Sequence, residues 1–258
     1  RWSKRLTLSA SHWDRLLAFV QTHMTPAVFD FPPITLSMWD HINHRYSATA
    51  ARGPDGFDHL DFLHMPVGFQ HSLLSLLSGI DSGQPWPKQL QLGFCHPLPK
   101  RPDATTVQDH RPIVILSVLY RSWSALRARP LLAQLKHLVG PGVIGFMPGR
   151  EAGEVWHYVQ TLIEWALQSG QQLHGVVSDV RKAFESIPRT PLFAVMSFLG
   201  FPAPLLSAWS RFLDGLERRF LLRDQIGDMI PSNWGLPEGC SLSVLGMTVI
   251  DWVFDEYQ

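Results

Sequence analysis

Residues 174–189 read HGVVSDVRKAFESIPR and contain the stretch that decides how this chain folds. Small and β-branched residues in LHGVVSDV lead up to the carboxylate of Asp179, and Arg181 and Lys182 follow directly. The run predicts a strand that ends at this acid. A buried carboxylate loses its hydration unless it faces a metal ion or a basic side chain. Two readings remain open: Asp179 faces a cation in a site, or it is an exposed strand end paired with Arg181 or Lys182.

A second stretch, GLPEGCSLS at residues 235–243, places Gly235 and Gly239 on either side of a polar segment and opens a helix at Ser241. Glycine lets a backbone approach a ligand closely because it carries no Cβ. A glycine loop alone is a weak signal. It becomes informative only through its order relative to the other motifs of the chain.

Apolar periodicity predicts helices along most of the chain. They cover SASHWDRLLAFVQTHM with Ser11 as N-cap, ITLSMWDHINHRY, HSLLSLLSGI, residues 117–138 with an interruption at Pro130, EAGEVWHYVQTLIEWALQSG ended by Gly170, TPLFAVMSFLG capped by Thr190, and LLSAWSRFLDGL. The clearest of these has its apolar residues on one face, namely Val155, Val159, Leu162, Ile163 and Ala166.

Strands are predicted in two places. PWPKQLQLGFCHPLPKRPDATTVQDHRPIVIL predicts two strands joined by a polar loop, and RRFLLRDQIGDMIPSNWG predicts a hairpin that turns near Gly227. Long helices between few strands predict an α+β chain. A doubly wound fold is not expected because strand and helix do not alternate regularly.

Composition sets wide bounds on function. The chain has 258 residues, 45% of them apolar, with 22 basic and 22 acidic side chains. This is enough apolar material for a sizeable core, while the balanced charge neither favours nor excludes a nucleic-acid partner. Cys95 and Cys240 lack a CxxC spacing, which predicts a reducing, intracellular compartment, nuclear or cytoplasmic. No apolar stretch reaches the roughly 18 residues of a membrane span, so no membrane association is expected.

Taken together, the motifs resemble the reverse transcriptase family of RNA-directed DNA polymerases, most closely the enzymes of non-LTR retroelements and more distantly those of group II introns. The resemblance rests on the order of GPDG (53–56), PLPK (97–100), HRPIVILSVLYRSW (110–123), GFMPGR (145–150), SDVRKAFESI (178–187) and GLPEGCSLS (235–243). It implies the fingers and a truncated palm of a right-hand polymerase. The implied parts are an N-terminal helical extension (1–52), fingers (53–140) and palm (141–258), with a fingers-like portion at about 190–230.

The resemblance also implies a metal site and a reaction. Asp179 matches the first catalytic aspartate, and Asp179 and Val180 match the metal-binding positions. The implied cofactor is Mg²⁺, with Mn²⁺ as a substitute, since hard divalent cations prefer oxygen ligands. In the implied two-metal mechanism, deoxynucleotides are added to the 3′-hydroxyl of a DNA or RNA primer on an RNA template.

Further positions match the nucleotide-binding residues of the family. Lys100 and Arg111 match the fingers residues that contact the triphosphate, and a guanidinium suits this role because its planar fork binds two phosphate oxygens. Lys182 adds a third cation. Phe184 matches the ring that blocks a ribose 2′-hydroxyl, although core packing is the commoner role of a phenylalanine. The glycine-bounded segment that lies near the nucleotide and template corresponds to Gly235, Glu238 and Gly239.

The chain departs from the family pattern at several points. Glu185 stands where Asp is usual, and Glu238 and Val143 stand where Gln is usual. The third catalytic segment, an aromatic-x-Asp-Asp hairpin, is absent, and the sequence contains no Asp-Asp pair. We therefore expect the rest of the palm and the thumb downstream of residue 258, and we expect these 258 residues to be inactive alone.

Two functional classes stay open at this point. The first is the fingers and proximal palm of an active polymerase. The second is a non-catalytic RNA-binding or scaffold module with a decayed palm, which the acidic Glu238 favours. The sequence downstream of Gln258 separates them, since an intact aromatic-x-Asp-Asp segment supports only the first.

Overall fold

The computed structural model describes residues 10–47, 49–106, 109–177, 179–180, 182–222, 225–230 and 232–257, with side chains described from residue 12 onward. Its ten helices, counted over those residues, are α1 (Ala10–His23), α2 (Leu36–His44), α3 (His59–His64), α4 (Val67–Asp81), α5 (Val118–Leu135), α6 (Ala152–Ser169), α7 (Ala183–Ser186), α8 (Arg189–Phe198), α9 (Ala203–Asp214) and α10 (Ser241–Tyr257). The strands are β1 (Leu92–Pro99), β2 (His110–Leu116), β3 (Glu217–Leu222) and β4 (Gln225–Ile230). The predicted α+β class is confirmed.

The four strands form one sheet in the order β2-β1-β3-β4. β1 pairs with β2 as an antiparallel hairpin, in which Leu98 lies opposite Arg111. β1 also pairs with β3 in parallel, and β3 pairs with β4 in antiparallel orientation. The two strands predicted between residues 85 and 116 are therefore confirmed, and their hairpin brings two separate motifs to the same end of the sheet.

The core lies around α5, which is buried along most of its length. An aromatic cluster at its centre stacks Tyr120 on Phe212, with ring centroids 3.4 Å apart, and sets Trp86 edge-on to Trp123. Trp86 also donates a hydrogen bond of 2.8 Å to the carbonyl of Ala208. The predicted break at Pro130 is wrong, because α5 continues to Leu135. Burial of the helix on several sides outweighs the hydrogen bond that proline cannot donate.

The predicted strand LHGVVSDV is wrong. Residues 173–177, 179 and 180 form irregular, exposed backbone, and the side chain of Val177 is 100% exposed. A strand persists only when its backbone groups pair with a neighbour. Within the described part of the chain, the sheet takes its strands from residues 92–116 and 217–230, and it contains no partner for this segment.

Three local predictions also differ from the structure. α1 begins at Ala10, so Ser11 lies inside the helix and is not its N-cap. α8 begins at Arg189 after Pro188, so Thr190 lies in the first turn. Gly227 lies within β4, and the chain turns between Leu222 and Gln225, where residues 223 and 224 fall outside the described part. Packing does not require glycine at this position, since a Cβ there would lie 3.7 Å from Phe220, an ordinary van der Waals distance.

Helix α6 confirms its predicted span and its end at Gly170, which adopts the left-handed conformation with φ of 66°. Its apolar face, however, is largely uncovered: Ala166 is the one buried residue of this fully described helix. Trp156 is 75% exposed, and Tyr158 and Trp165 are also exposed. Among the described helices, none is long and apolar enough to cross a membrane.

Candidate functional site

The β1–β2 hairpin brings two of the predicted cationic residues to one end of the sheet. Lys100 directly follows β1, and its backbone N–H donates to the carbonyl of Asp109 across the hairpin, at 2.8 Å. Arg111 lies opposite Leu98 near the start of β2. Both side chains are exposed, as phosphate-binding groups must be to meet a ligand.

The loop at residues 235–239 extends this sheet along the edge of β2. The backbone N–H of Val114 donates to the carbonyl of Glu238 at 3.1 Å. Gly239 has φ of 107°, and a Cβ at this position would lie 3.0 Å from the carbonyl oxygen of Val114. A side chain at Gly239 would thus be strained by conformation and crowded by β2. The close approach seen in this structure is to β2, and the approach of this loop to a ligand stays a prediction.

The other end of the loop lies on the α7–α8 junction. The N–H of Leu236 donates to the carbonyl of Phe184 at 2.7 Å, and the N–H of Gly235 donates to that of Ile187 at 3.2 Å. Gly235 has φ of 68°, and a Cβ there would lie 2.8 Å from the backbone of Glu185. The glycine loop therefore links the hairpin to the segment that follows Asp179.

A buried arginine that belongs to none of the predicted site residues fixes this junction. Arg189 Nε donates to the carbonyl of Gly235 at 2.8 Å, Nη1 donates to that of Leu213 at 2.9 Å, and Nη2 donates to the hydroxyl of Ser232 at 3.0 Å. Burial, and next the nearby charge of Arg218, lowers the pKa of Arg189 to about 10, so the guanidinium stays charged at neutral pH. No sequence signal marks this role, because the partners lie 24 to 46 residues away.

The site contains cations and carboxylates in close proximity. Burial raises the pKa of Glu238, the charge of Glu185 raises it further, and the charges of Arg111 and Lys100 oppose the rise. Lys182 Nζ lies 3.6 Å from Glu185 Oε2. The structure thus brings together the predicted residues Lys100, Arg111, Lys182, Phe184, Gly235, Glu238 and Gly239, with Glu185 among them.

Two aromatic rings border this cluster. Phe184 is half-buried and lies edge-on to Phe146, with ring centroids 6.4 Å apart. Phe146 belongs to the GFMPGR motif, and the sequence predicts no individual role for it. Its backbone φ of 62° is the signal that only the structure provides.

Asp179 and Val180 lie in the exposed segment before α7, and Val180 is 68% exposed. Their neighbours Ser178 and Arg181 are outside the described residues. In the part of the chain that the structure describes, no group of three or more His, Cys, Asp or Glu side chains could hold a metal ion. One exposed carboxylate does not satisfy a divalent cation that takes six or more oxygen ligands. These residues alone do not fit a metal site.

Comparison with known proteins agrees with the order of the motifs. The reverse transcriptase (RNA-dependent DNA polymerase) family matches residues 98–258. The chain is also similar to the retrovirus-related Pol polyprotein from a type-2 retrotransposable element of Drosophila melanogaster, with 25% identity over 158 residues. That similarity covers 61% of this chain and 14% of the length of the fly protein. Because the family match covers more than half of the chain and includes β2, the α7 segment and the glycine loop, the chain belongs to the reverse transcriptase family.

Proposed function

We propose that this chain supplies the nucleotide-binding part of an RNA-directed DNA polymerase of the non-LTR retroelement type. The observation that carries the proposal is the cluster formed by Lys100, Arg111 and Lys182 around the glycine loop. Three cations drawn from three separate motifs suit the triphosphate of a deoxynucleotide, whose negative charge must be neutralised. The implied partners are deoxynucleoside triphosphates, an RNA template and a DNA or RNA primer.

The proposed reaction is the two-metal transfer of a deoxynucleotide to a primer 3′-hydroxyl. Bound Mg²⁺ ions would activate the hydroxyl and stabilise the leaving phosphate. In this proposal Asp179, with the neighbouring Val180, contributes to the metal site, and further oxygen ligands come from residues outside this sequence. Accordingly, the 258 residues alone bind Mg²⁺ or Mn²⁺ weakly and do not extend a primer.

Exposed apolar side chains in the segments that precede Asp179 support the proposal that another part of the polymerase packs on this chain. The exposed apolar side chains of α6 and of residues 173–177 lie in neighbouring segments of the chain. A helix whose apolar face is left exposed in this way marks an area that another element covers. We propose that the remainder of the palm packs there, which would also give residues 173–177 a strand partner.

One observation favours the alternative of a non-catalytic RNA-binding module. Glu238 and Glu185 bring two carboxylates into a cluster of three cations, and this reduces the attraction for a triphosphate. A binding module does not need tight nucleotide affinity. The two functions differ in one activity: a polymerase that contains this chain extends a primer on an RNA template, whereas a binding module binds the template without extending the primer.

The test is primer extension on an RNA template, with a longer polypeptide that contains this chain and its downstream residues. We expect extension by the longer polypeptide, none by the 258-residue chain, and a loss of more than about a hundredfold in Asp179→Asn, since the metal site would lose a ligand. Asp228→Asn makes the same isosteric change at an exposed position of β4 and should keep full activity.

Two outcomes would contradict the proposal in different ways. If the longer polypeptide binds the template but never extends the primer, the non-catalytic alternative holds. If Asp179→Asn extends primers as well as the unchanged protein, the metal assignment is wrong while the polymerase assignment stands. Manganese-induced line broadening provides an independent check, because it should centre on Asp179 and disappear in Asp179→Asn.

A further inference from the structure

Phe146 is held in a conformation that a bulky side chain rarely adopts. Its φ of 62° lies in the left-handed region, and among the described residues only Lys182, with φ of 54°, shares this feature outside glycine. Such backbone strain concentrates at functional sites, where the surrounding structure maintains it. The two strained residues belong to separate motifs, GFMPGR and DVRKAF.

The strain directs an aromatic ring towards solvent. Phe146 is 56% exposed, whereas Val143 and Met147 on either side of it are buried and anchor the turn. Core packing therefore does not explain the ring, because its neighbours already fill that role. An exposed phenyl ring in a constrained position is suited to contact a ligand.

The surroundings of the ring indicate which ligand it fits. Phe184 presents its edge to Phe146 at a ring-plane angle of 63°, and the carbonyl of Phe184 accepts the hydrogen bond that fixes Leu236 in the glycine loop. Lys182 lies two residues before Phe184, and its ammonium is 3.6 Å from Glu185, whose backbone lies against Gly235 of the loop. An exposed ring that contacts a segment carrying a lysine matches a nucleotide unit, which combines a planar base with a phosphate.

We propose that Phe146 stacks on a nucleobase, with Phe184 supporting its ring from the side. This inference rests on the proposed function and deepens it, because it assigns a base contact to a motif otherwise without a substrate role. The base could belong to a single-stranded segment of the template or to the incoming nucleotide. Both present the same aromatic face, and the experiment distinguishes them.

The test measures binding of the 258-residue chain to a short oligoadenylate RNA, to an abasic strand of the same length and charge, and to dATP. We expect Phe146→Ala to weaken binding of the oligoadenylate about tenfold or more, which is the range of base–aromatic stacking. Binding of the abasic strand should be unchanged, since its phosphates still meet the same cations. A loss confined to the oligoadenylate identifies the template strand, and a comparable loss with dATP identifies the nucleotide.

Matched variants distinguish a loss of binding caused by removal of the Phe146 ring from a loss caused by a change in the fold. Phe146→Leu keeps apolar bulk without an aromatic face and should bind as weakly as Phe146→Ala, while Phe146→Tyr should bind normally. Phe69→Ala removes another exposed phenyl ring, on α4, and should leave all three affinities unchanged. Because the Phe146 ring is mostly exposed, the melting temperature should stay close to that of the unchanged chain.

The possible failures differ from one another. If the unchanged chain prefers the oligoadenylate to the abasic strand and Phe146→Ala keeps that preference, the base contact lies elsewhere and this inference is wrong. Equal weakening of the oligoadenylate and the abasic strand also overturns it, because that result indicates a phosphate or scaffold effect. If the unchanged chain binds none of the three probes, both this inference and the proposed nucleotide-binding function are wrong.

Discussion

The glycine loop at residues 235–239 and the segment around Asp179 differ in how they are held. The loop is fixed from two sides, by Val114 of β2 and by the carbonyls of Phe184 and Ile187. The segment at residues 171–177 is irregular and exposed, and it follows α6, whose apolar face is also uncovered. Both regions carry motifs of the reverse transcriptase family. The presence of a family motif therefore does not explain why one region is ordered by contacts and the other is exposed.

The difference shows that a site motif folds locally only where its partners are present in the same chain. The hydrogen bonds that fix the loop come from Val114, Phe184, Ile187 and Arg189, and all of these partners belong to this chain. A strand at residues 173–180 needs a neighbouring strand, which the described residues do not offer. The loop should therefore resist perturbation in this chain alone, while the Asp179 segment should depend on whatever packs on it.

The largest expected effect comes from removing the side chain that holds the glycine loop in place. Arg189→Met removes the donors to Gly235, Leu213 and Ser232, and leaves buried carbonyls without partners. Even though burial of the charge is itself unfavourable, we expect the free energy of unfolding to fall by about 3 kcal/mol. Chemical denaturation measures this loss, and hydrogen exchange should show faster opening at residues 232–236.

The control variant changes a residue on the exposed apolar face of α6. Trp156→Ala removes a larger side chain from α6, but that side chain is mostly exposed, so the unfolding free energy should change by no more than about 0.5 kcal/mol. A large loss in Trp156→Ala, or none in Arg189→Met, would mean that the two regions do not differ as described.

The same comparison explains which features the sequence could predict. The end of α6 at Gly170, the start of α10 at Ser241 and the two strands of the β1–β2 hairpin follow from local rules of propensity and turn chemistry. The order of the motifs also predicted that Lys100, Arg111 and Lys182 converge on one cleft with Asp179, and this convergence stays a prediction. In the structure, Lys100 and Arg111 act on the pKa of Glu238, and Lys182 pairs with Glu185.

Features that depend on distant partners were not predictable in this way. The strand at residues 173–180 had the correct local pattern but no neighbour, and the hairpin turn was placed at Gly227 because glycine is a turn signal. That glycine lies within β4, where a Cβ would make only ordinary contact with Phe220. Arg189 is one arginine among many until its three distant oxygen partners are known.

A substitution at Phe184 tests whether this ring contacts the substrate or only packs in the hydrophobic core. In a polymerase that includes the downstream residues, Phe184→Ala should admit ribonucleotides by removing the overlap with a 2′-hydroxyl. Relative kcat/KM for matched ribo and deoxy substrates should then change by roughly a hundredfold. Single-nucleotide incorporation with both sugars measures this ratio.

The competing explanation of Phe184 makes a different prediction. If the ring serves only the core, its truncation should cost roughly 3–5 kcal/mol and reduce incorporation of both sugars alike. Phe193→Ala provides the matched control, since Phe193 is a half-buried ring packed edge-on against Trp209 at 5.1 Å. It should lower the melting temperature without altering the sugar ratio.

The smallest expected effect concerns Glu238, whose negative charge in the glycine loop lowers the affinity of the proposed site for a triphosphate. Glu238→Gln removes one negative charge near Arg111 and Lys100 while preserving the shape of the side chain. We expect a deoxynucleoside triphosphate to bind about fivefold more tightly, which corresponds to about 1 kcal/mol for partly screened charges. The gain should shrink at high salt, and Glu217→Gln on β3 should show no gain.

Stability against pH gives a second measurement on the same variant. Because the folded-state pKa of Glu238 is raised above its ordinary value of 4.5, by burial first and by Glu185 second, its ionisation opposes folding. The stability present below about pH 4.5 is therefore lost as the pH rises through the raised pKa. In Glu238→Gln this part of the decrease should be absent, so denaturation curves of the two proteins should diverge above that pH. Parallel curves, together with unchanged nucleotide affinity, would show that the Glu238 carboxylate is solvated and does not face the phosphate-binding cations.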